Sequence, residues 1–317
     1  VVMEQSRPVA SVMEQFALLL GRSWRQVSRN RVANGIRLAQ QVGVATVYGA
    51  IYSFTDSQSS IQDRLGLLQM VAIGSFVQPL AAAIRTFPKE KSIVSSDRSK
   101  HLYNVFPYFL SKVATELPVT LALSCVFSGI LYPSVRLQPD WTKFKNFLSV
   151  SALHSMASQS LGLLMSSVAS SSDAAIAMMP PVIVACNLFN GFVVTEESLS
   201  FPFNWLPRLS VIRWAWEGLM VNEFQGLKFV TDDTKRICVA TGQEALARIS
   251  SIFEKSTIKG VLLAQGGILA ACYWHTYFAL CRTNLRFATM DAPSFIEDEG
   301  TPRGNNSPVP GQATVTK

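Results

Sequence analysis

The stretch FPYFLSKVATELPVTLALSCVFSGIL, Phe106–Leu131, decides the fold class. It is apolar over most of its length, and it exceeds the roughly 20 residues that carry a helix across a ~30 Å hydrocarbon core. Its two charges, Lys112 and Glu116, sit near one end. Comparable stretches recur at Ile36–Phe54, Leu65–Ile84, Phe147–Ala169, Ala174–Val194 and Gly260–Cys281. A helix satisfies its own backbone hydrogen bonds in lipid, so the pattern predicts an all-α, polytopic membrane protein with six transmembrane helices.

Within Phe106–Leu131, Lys112 and Glu116 are four residues apart and share a helix face. Intramembrane charges are costly and are usually functional, paired or close to an interface. Here they lie in the first two turns, which favours a clasp between helices over an ion site at the midplane. Pro118 follows and is expected to bend the helix. The fifth stretch carries Pro180-Pro181 and then Asn187, Asn190 and Gly191. It reads as an irregular helix lining a cavity, against the plainer alternative of a tolerated kink. Arg37, Gln40 and Gln41 in the first stretch, and His154 and Gln159 in the Ser-rich fourth, suit helices packed inside a bundle.

Composition supports this through its distribution rather than its averages. Hydrophobic residues make up 49% and charged residues 15%, and a mean hydropathy of +0.24 is modest. The charges, however, avoid the apolar stretches almost entirely. The net charge of +7 does not describe a nucleic-acid binder. Arg7, Arg22, Arg25, Arg29, Arg31 and Arg37 precede the first span's core, and Lys89, Lys91, Arg98 and Lys100 fall between the second and third. The positive-inside rule places both regions, and with six spans the C-terminus, in the cytoplasm.

Residues 1–34 are expected to include a cytoplasmic amphipathic helix, Val9–Arg31, lying on the membrane face, with packing against a cytoplasmic domain as the alternative. Residues 35–286 form the membrane domain, with an external loop at about 195–257. The aromatic, partly charged run Leu199–Phe224 within that loop predicts re-entrant or interfacial helices. Residues 287–317 read as a disordered cytoplasmic tail. No cleavable presequence is visible, and the start without Met reads as a fragment of a longer chain. Cys238 is the one cysteine of the external loop; a free thiol and a disulfide to a second subunit are both open. No G-x-x-x-x-G-K-[ST] loop, H-E-x-x-H site or G-x-S-x-G elbow occurs, so neither catalysis nor a metal site is expected in this chain.

Several segments resemble the membrane domain of ABC transporters of the G subfamily, the ABC-2 type, with wording closest to a plant and algal half-transporter branch. They are SIQDRLGLLQ (Ser60–Gln69), FPKEK (Phe87–Lys91), PYFLSKVATELP (Pro107–Pro118), RWAWEGLMVNEFQGLKF (Arg213–Phe229) and TGQEAL (Thr241–Leu246). They appear in the family's order and spacing up to about Arg286. The resemblance implies a connecting helix at the N-terminus. It also implies a nucleotide-binding domain upstream in the same polypeptide, which would bind ATP and Mg, and a homo- or heterodimer with another half-transporter. It implies a coupling and polar-relay set of Glu90, Lys91, Lys112 and Glu116. Aligned residue by residue, the substrate cavity falls on Gly74, Val77, Val184 and Asn187, and the gate above it on Phe192 and Val193. Gly74 and Val77 stand where the family's multidrug member has asparagine and phenylalanine, so flat drug-like substrates are not implied.

The function expected is the membrane part of an ATP-driven exporter of a hydrophobic or amphipathic substrate such as a lipid, sterol or terpenoid. A membrane scaffold that retains the fold without transport ranks second, and an intramembrane enzyme third. The plasma membrane is the default location and a plastid envelope the alternative.

Overall fold

The computed structural model describes residues 11–99, 103–191, 194, 203–230, 239–249 and 256–282. Helix α1 (Val12–Arg29) is fixed at its start by a capping box, in which the Ser11 hydroxyl accepts from the Glu14 N–H and Glu14 accepts from the Ser11 N–H. This reciprocal pair satisfies donors that a helix N-terminus otherwise leaves bare. The helix packs along α4 (Val105–Ser134) and buries Gln15 and Leu19. Its inner face thus rests on α4, while Val12, Met13, Leu18 and Trp24 remain exposed.

The remaining long helices are α2 (Arg31–Ile51), α3 (Ser59–Ser99), α5 (Trp141–Val168), α6 (Ser172–Leu188) and, last, α10 (Ile258–Arg282). Each of the six apolar stretches falls on one of these or on α4. Among the described residues, two segments are long and apolar enough to cross a membrane by length and composition alone, Ser59–Pro88 and Val105–Ser134; Ser172–Leu188 is apolar but shorter. The first stretch leaves its helix at Ile51 rather than Phe54, and the fifth at Leu188 rather than Val194. Pro180 and Pro181 do not break α6, which runs unbroken through both with their rings exposed.

Helix α5 is the centre of the bundle, packing against α3, α4 and α10. Its serines do not prevent burial, because their hydroxyls bond back to their own helix: Ser155 to the Ser151 carbonyl, Ser158 to His154 and Ser166 to Gly162. Such bonds let a polar side chain sit in the core at little desolvation cost. Gly162 lets α3 approach closely. A Cβ there would stand 2.8 Å from both the Leu80 carbonyl oxygen and the Ala83 Cβ. His154 is buried against α3, where its Nε2 bonds the Ala72 carbonyl at 2.9 Å and its ring stacks on Phe76.

The segment between α6 and α10 contributes a 3-10 turn (Phe203–Trp205), α7 (Leu206–Leu209), α8 (Val211–Phe224) and α9 (Gly242–Ile249). Helix α8 corrects the interfacial reading. Ser210 caps it by accepting from the Arg213 N–H, and the helix then inserts against α3, α5 and α10. Trp216, expected at a membrane surface, is fully buried together with Ile212, Leu219 and Phe224. Polar residues at its ends are absorbed by specific partners, so the apolar face is free to join the core. At Gly242 a side chain is sterically barred, since a Cβ would lie 1.9 Å from the Phe224 carbonyl oxygen.

Candidate functional site

The candidate site begins at the end of α3 that carries the basic residues, where charged groups of α3 and α4 meet amide side chains of α1 and α5. Lys112 on α4 reaches Glu90 on α3 at 2.8 Å and Glu116, one turn further along α4, at 3.0 Å. Gln26 of α1 donates to Glu90 at 3.2 Å. On the far side Gln159 of α5 donates to Glu116 at 2.8 Å and accepts from Thr120 at 2.7 Å. Lys112 and Glu116 are both buried. A buried ion with a single partner is expensive. Here one cation sits between two carboxylates, and each carboxylate takes a further amide hydrogen bond. The result is a continuous relay, α1–α3–α4–α5.

Lys91, the neighbour of Glu90, points to the opposite helix. Its Nζ donates to the carbonyls of Ser167 and Ala169 at 2.7 and 3.1 Å, groups that the end of α5 leaves without helical partners. Burial lowers the Lys91 pKa. Arg22 meets Asp97 at 3.2 Å and tethers α1 to the end of α3, while the Tyr103 hydroxyl, just before α4, donates to the same carboxylate at 3.0 Å. All four residues of the expected relay set, Glu90, Lys91, Lys112 and Glu116, therefore meet in one region. Gln26, Thr120 and Gln159 complete it, and sequence reasoning had not joined them to it. Gln159 stands out in the sequence as a polar residue in a span, but spacing within one helix cannot reveal a partner on another.

The expected cavity residues lie on two helices that pack together, α3 and α6. Asn187 accepts from Gln69 at 3.2 Å and from Asn190 at 3.0 Å. Gly74 has open space where a Cβ would be, and Val184 is largely exposed. Val77 lines a cavity of about 380 Å³ between α2 and α3. Phe192, Val193 and Cys238 lie outside the described residues.

At the opposite end of α3, a second ionic cluster joins α8 to the bundle. Arg64 pairs with Glu223 of α8 and stands over the Phe54 ring at 4.8 Å. Gln138 donates its side-chain amide to the Glu223 carbonyl. Lys143 donates to the carbonyls of Asn222, at 2.6 Å, and Gln225, while Asn222 donates back to the Lys143 carbonyl at 2.9 Å. Burial pushes the Glu223 carboxyl up to about 7 against the opposing pull of Arg64. Sequence reasoning missed this cluster, although both residues lie in segments that carried the family resemblance.

The described residues form a helical bundle with a charge relay at one end of α3 and α8 inserted at the other. The ABC-2 type transporter family model matches residues 14–224, and the chain belongs to that family. Its homologues are of the G subfamily. It is 37% identical over 278 residues to ABC transporter G family member 7 of Arabidopsis thaliana, an alignment covering 87% of this chain and 38% of that protein. To the protein white of Drosophila melanogaster it is 32% identical over 211 residues, 66% of this chain and 31% of that protein. To ABC transporter G family member 14 of Arabidopsis thaliana it is 28% identical over 280 residues, 86% of this chain and 41% of that protein. The chain thus spans well under half the length of these relatives.

Proposed function

We propose that this chain is the substrate-conducting part of an ATP-driven exporter for a hydrophobic or amphipathic molecule such as a lipid, sterol or terpenoid. In this reading α2, α3, α4, α5, α6 and α10 all cross the membrane, with both termini cytoplasmic. The protein works as a dimer in the plasma membrane, or alternatively a plastid envelope. A nucleotide-binding domain, upstream in the same polypeptide, binds ATP and Mg and performs the hydrolysis; this chain contributes no catalysis.

The observation that carries the proposal is the relay Gln26–Glu90–Lys112–Glu116–Gln159. A force applied near Glu90 reaches α1, α4 and α5 through charge-assisted contacts, which resist separation more than neutral ones. Moving α3 and α5 then changes the space between α3 and α6, where Asn187 and Gly74 lie. Substrate passes there in this reading, closed outward by Phe192 and Val193.

The test uses the full gene product in proteoliposomes, with ATP hydrolysis measured against a panel of lipids, sterols and terpenoids. Stimulation by at least one class, altered in its profile by Asn187→Leu, is expected. Hydrolysis that no member of the panel changes, in a folded dimeric preparation, would favour the scaffold reading instead.

A further inference from the structure

We infer that the groove between α2 and α3 is a binding site for an anionic phospholipid, whose headgroup phosphate is held by Arg37 and Arg85. The groove arises from the packing. Helix α2 rests on α4 while α3 rests on α5, and the gap between α2 and α3 is a cavity of about 380 Å³. That lies within the range of small-molecule sites. Val77, Pro79 and Leu123 give it an apolar wall, Arg37 and Arg85 supply positive charge, and no carboxylate lines it.

Arg37 is the anomaly that selects the ligand. Six basic side chains among the described residues are buried or half-buried: Arg37, Arg64, Lys91, Lys112, Lys143 and Arg213. Arg64, Lys112 and Arg213 hold carboxylates, and Lys91 and Lys143 hold backbone carbonyls. Arg37 makes no hydrogen bond or ion pair with the described residues, and neither does Arg85 at the rim of the same groove. The acid within electrostatic reach of Arg37 is Glu116, which Lys112 already neutralises at 3.0 Å.

A guanidinium held half out of water without an acceptor is a costly arrangement. Its natural complement is a group with several acceptor oxygens, and paired arginines match a phosphate well. The positive-inside rule places Arg37 and Arg85 at the cytoplasmic face, where acidic lipids concentrate. An apolar wall beside a cationic mouth fits an acyl chain below a charged headgroup, and a free phosphate would use only half of the site.

The inference rests on α2 and α3 lying in the bilayer, which family membership supports. It does not depend on export, and a binding assay keeps the two separate. The full gene product, purified in neutral detergent, would be titrated with fluorescent phosphatidic acid and challenged with unlabelled phosphatidic acid, phosphatidylcholine or inorganic phosphate. Phosphatidic acid should compete, while phosphatidylcholine and inorganic phosphate should not.

The double change Arg37→Gln and Arg85→Gln should weaken binding about thirtyfold, from the usual weight of two basic residues at an acidic lipid surface. Arg37→Lys with Arg85→Lys should recover most of the affinity. If the double variant unfolds early in a thermal scan, the exposed single change Arg85→Gln decides, with about a fivefold loss expected. Equal competition by phosphatidylcholine would overturn the inference, as would displacement by inorganic phosphate alone. Binding to a folded Gln variant as tight as to the unmodified protein would do the same.

Discussion

Removing Lys112 separates the two jobs assigned to the relay. Lys112→Met deletes the cation between two carboxylates. Glu116 stays buried with one amide hydrogen bond, from Gln159, and Glu90 keeps Gln26 and partial access to water. Breaking a buried pair from one side costs about 3–5 kcal/mol. The surviving amide bonds put this case near the lower value, about 3 kcal/mol, or roughly 6–12 °C in unfolding midpoint for a domain of this size. Adding Glu116→Gln removes the stranded anion and should return about 2 kcal/mol. The assay pairs a thermal scan of the full gene product in detergent with substrate-stimulated ATP hydrolysis in proteoliposomes. The double variant should recover most of its midpoint but not its stimulation, because Glu90 is still cut off from α4. A double variant no more stable than Lys112→Met would refute the buried-pair argument. Full stimulation in either variant would refute the relay.

Three further outcomes follow from the same geometry. Glu223 has a folded pKa of about 7 against an ordinary 4.5, so the native state holds the extra proton between these values. Stability should therefore fall as pH rises from about 4.5 to about 7 and level off beyond; thermal scans across that range should show the slope, and Glu223→Gln should flatten it. Gly162→Ala would place a Cβ 2.8 Å from the Leu80 carbonyl oxygen, so overpacking should cost about 1–3 kcal/mol; an unchanged midpoint would mean that α3 and α5 can separate freely. Lys91→Met should lose about 1–2 kcal/mol from the charged hydrogen bonds at the end of α5, with amide exchange rising first around Ala169 and Ser170; protection unchanged there would remove Lys91 as a cap.

The sequence made the helices legible, because burial in lipid or in a bundle demands long apolar runs wherever they fall. It also made the Lys112–Glu116 pair legible, since i,i+4 spacing is local. What it could not show was the third dimension. Glu90 and Gln159 join the pair from other helices, and nothing in the spacing of α4 names them. Helix α8 is the instructive case. Its charges mark it as too polar to cross and leave re-entrant and interfacial helices both open; burial tells against the interfacial one, because Arg213 and Glu217 pair within the helix at 3.7 Å and Glu223 finds Arg64. Pro180-Pro181 leave the helix continuous, as the alternative of a tolerated kink allows.

The two ionic clusters are best understood through α3, which belongs to both. Arg64 and Glu90 lie on this one helix, separated by roughly 40 Å at 1.5 Å rise per residue. Glu90 is bound to α4 and α1 at one end, and Arg64 to α8 at the other. Between them Gln69 bonds Asn187 of α6, and Leu80 meets Gly162 of α5. A tilt of α3 therefore cannot strain one cluster alone. It must load the charges at Glu90, shift the contact with α6, and pull on the Arg64–Glu223 pair that keeps α8 inserted. Packed helices with discrete ionic anchors move between arrangements rather than deforming gradually. The helix that meets the relay at one end is thus also the one that holds α8 in place at the other.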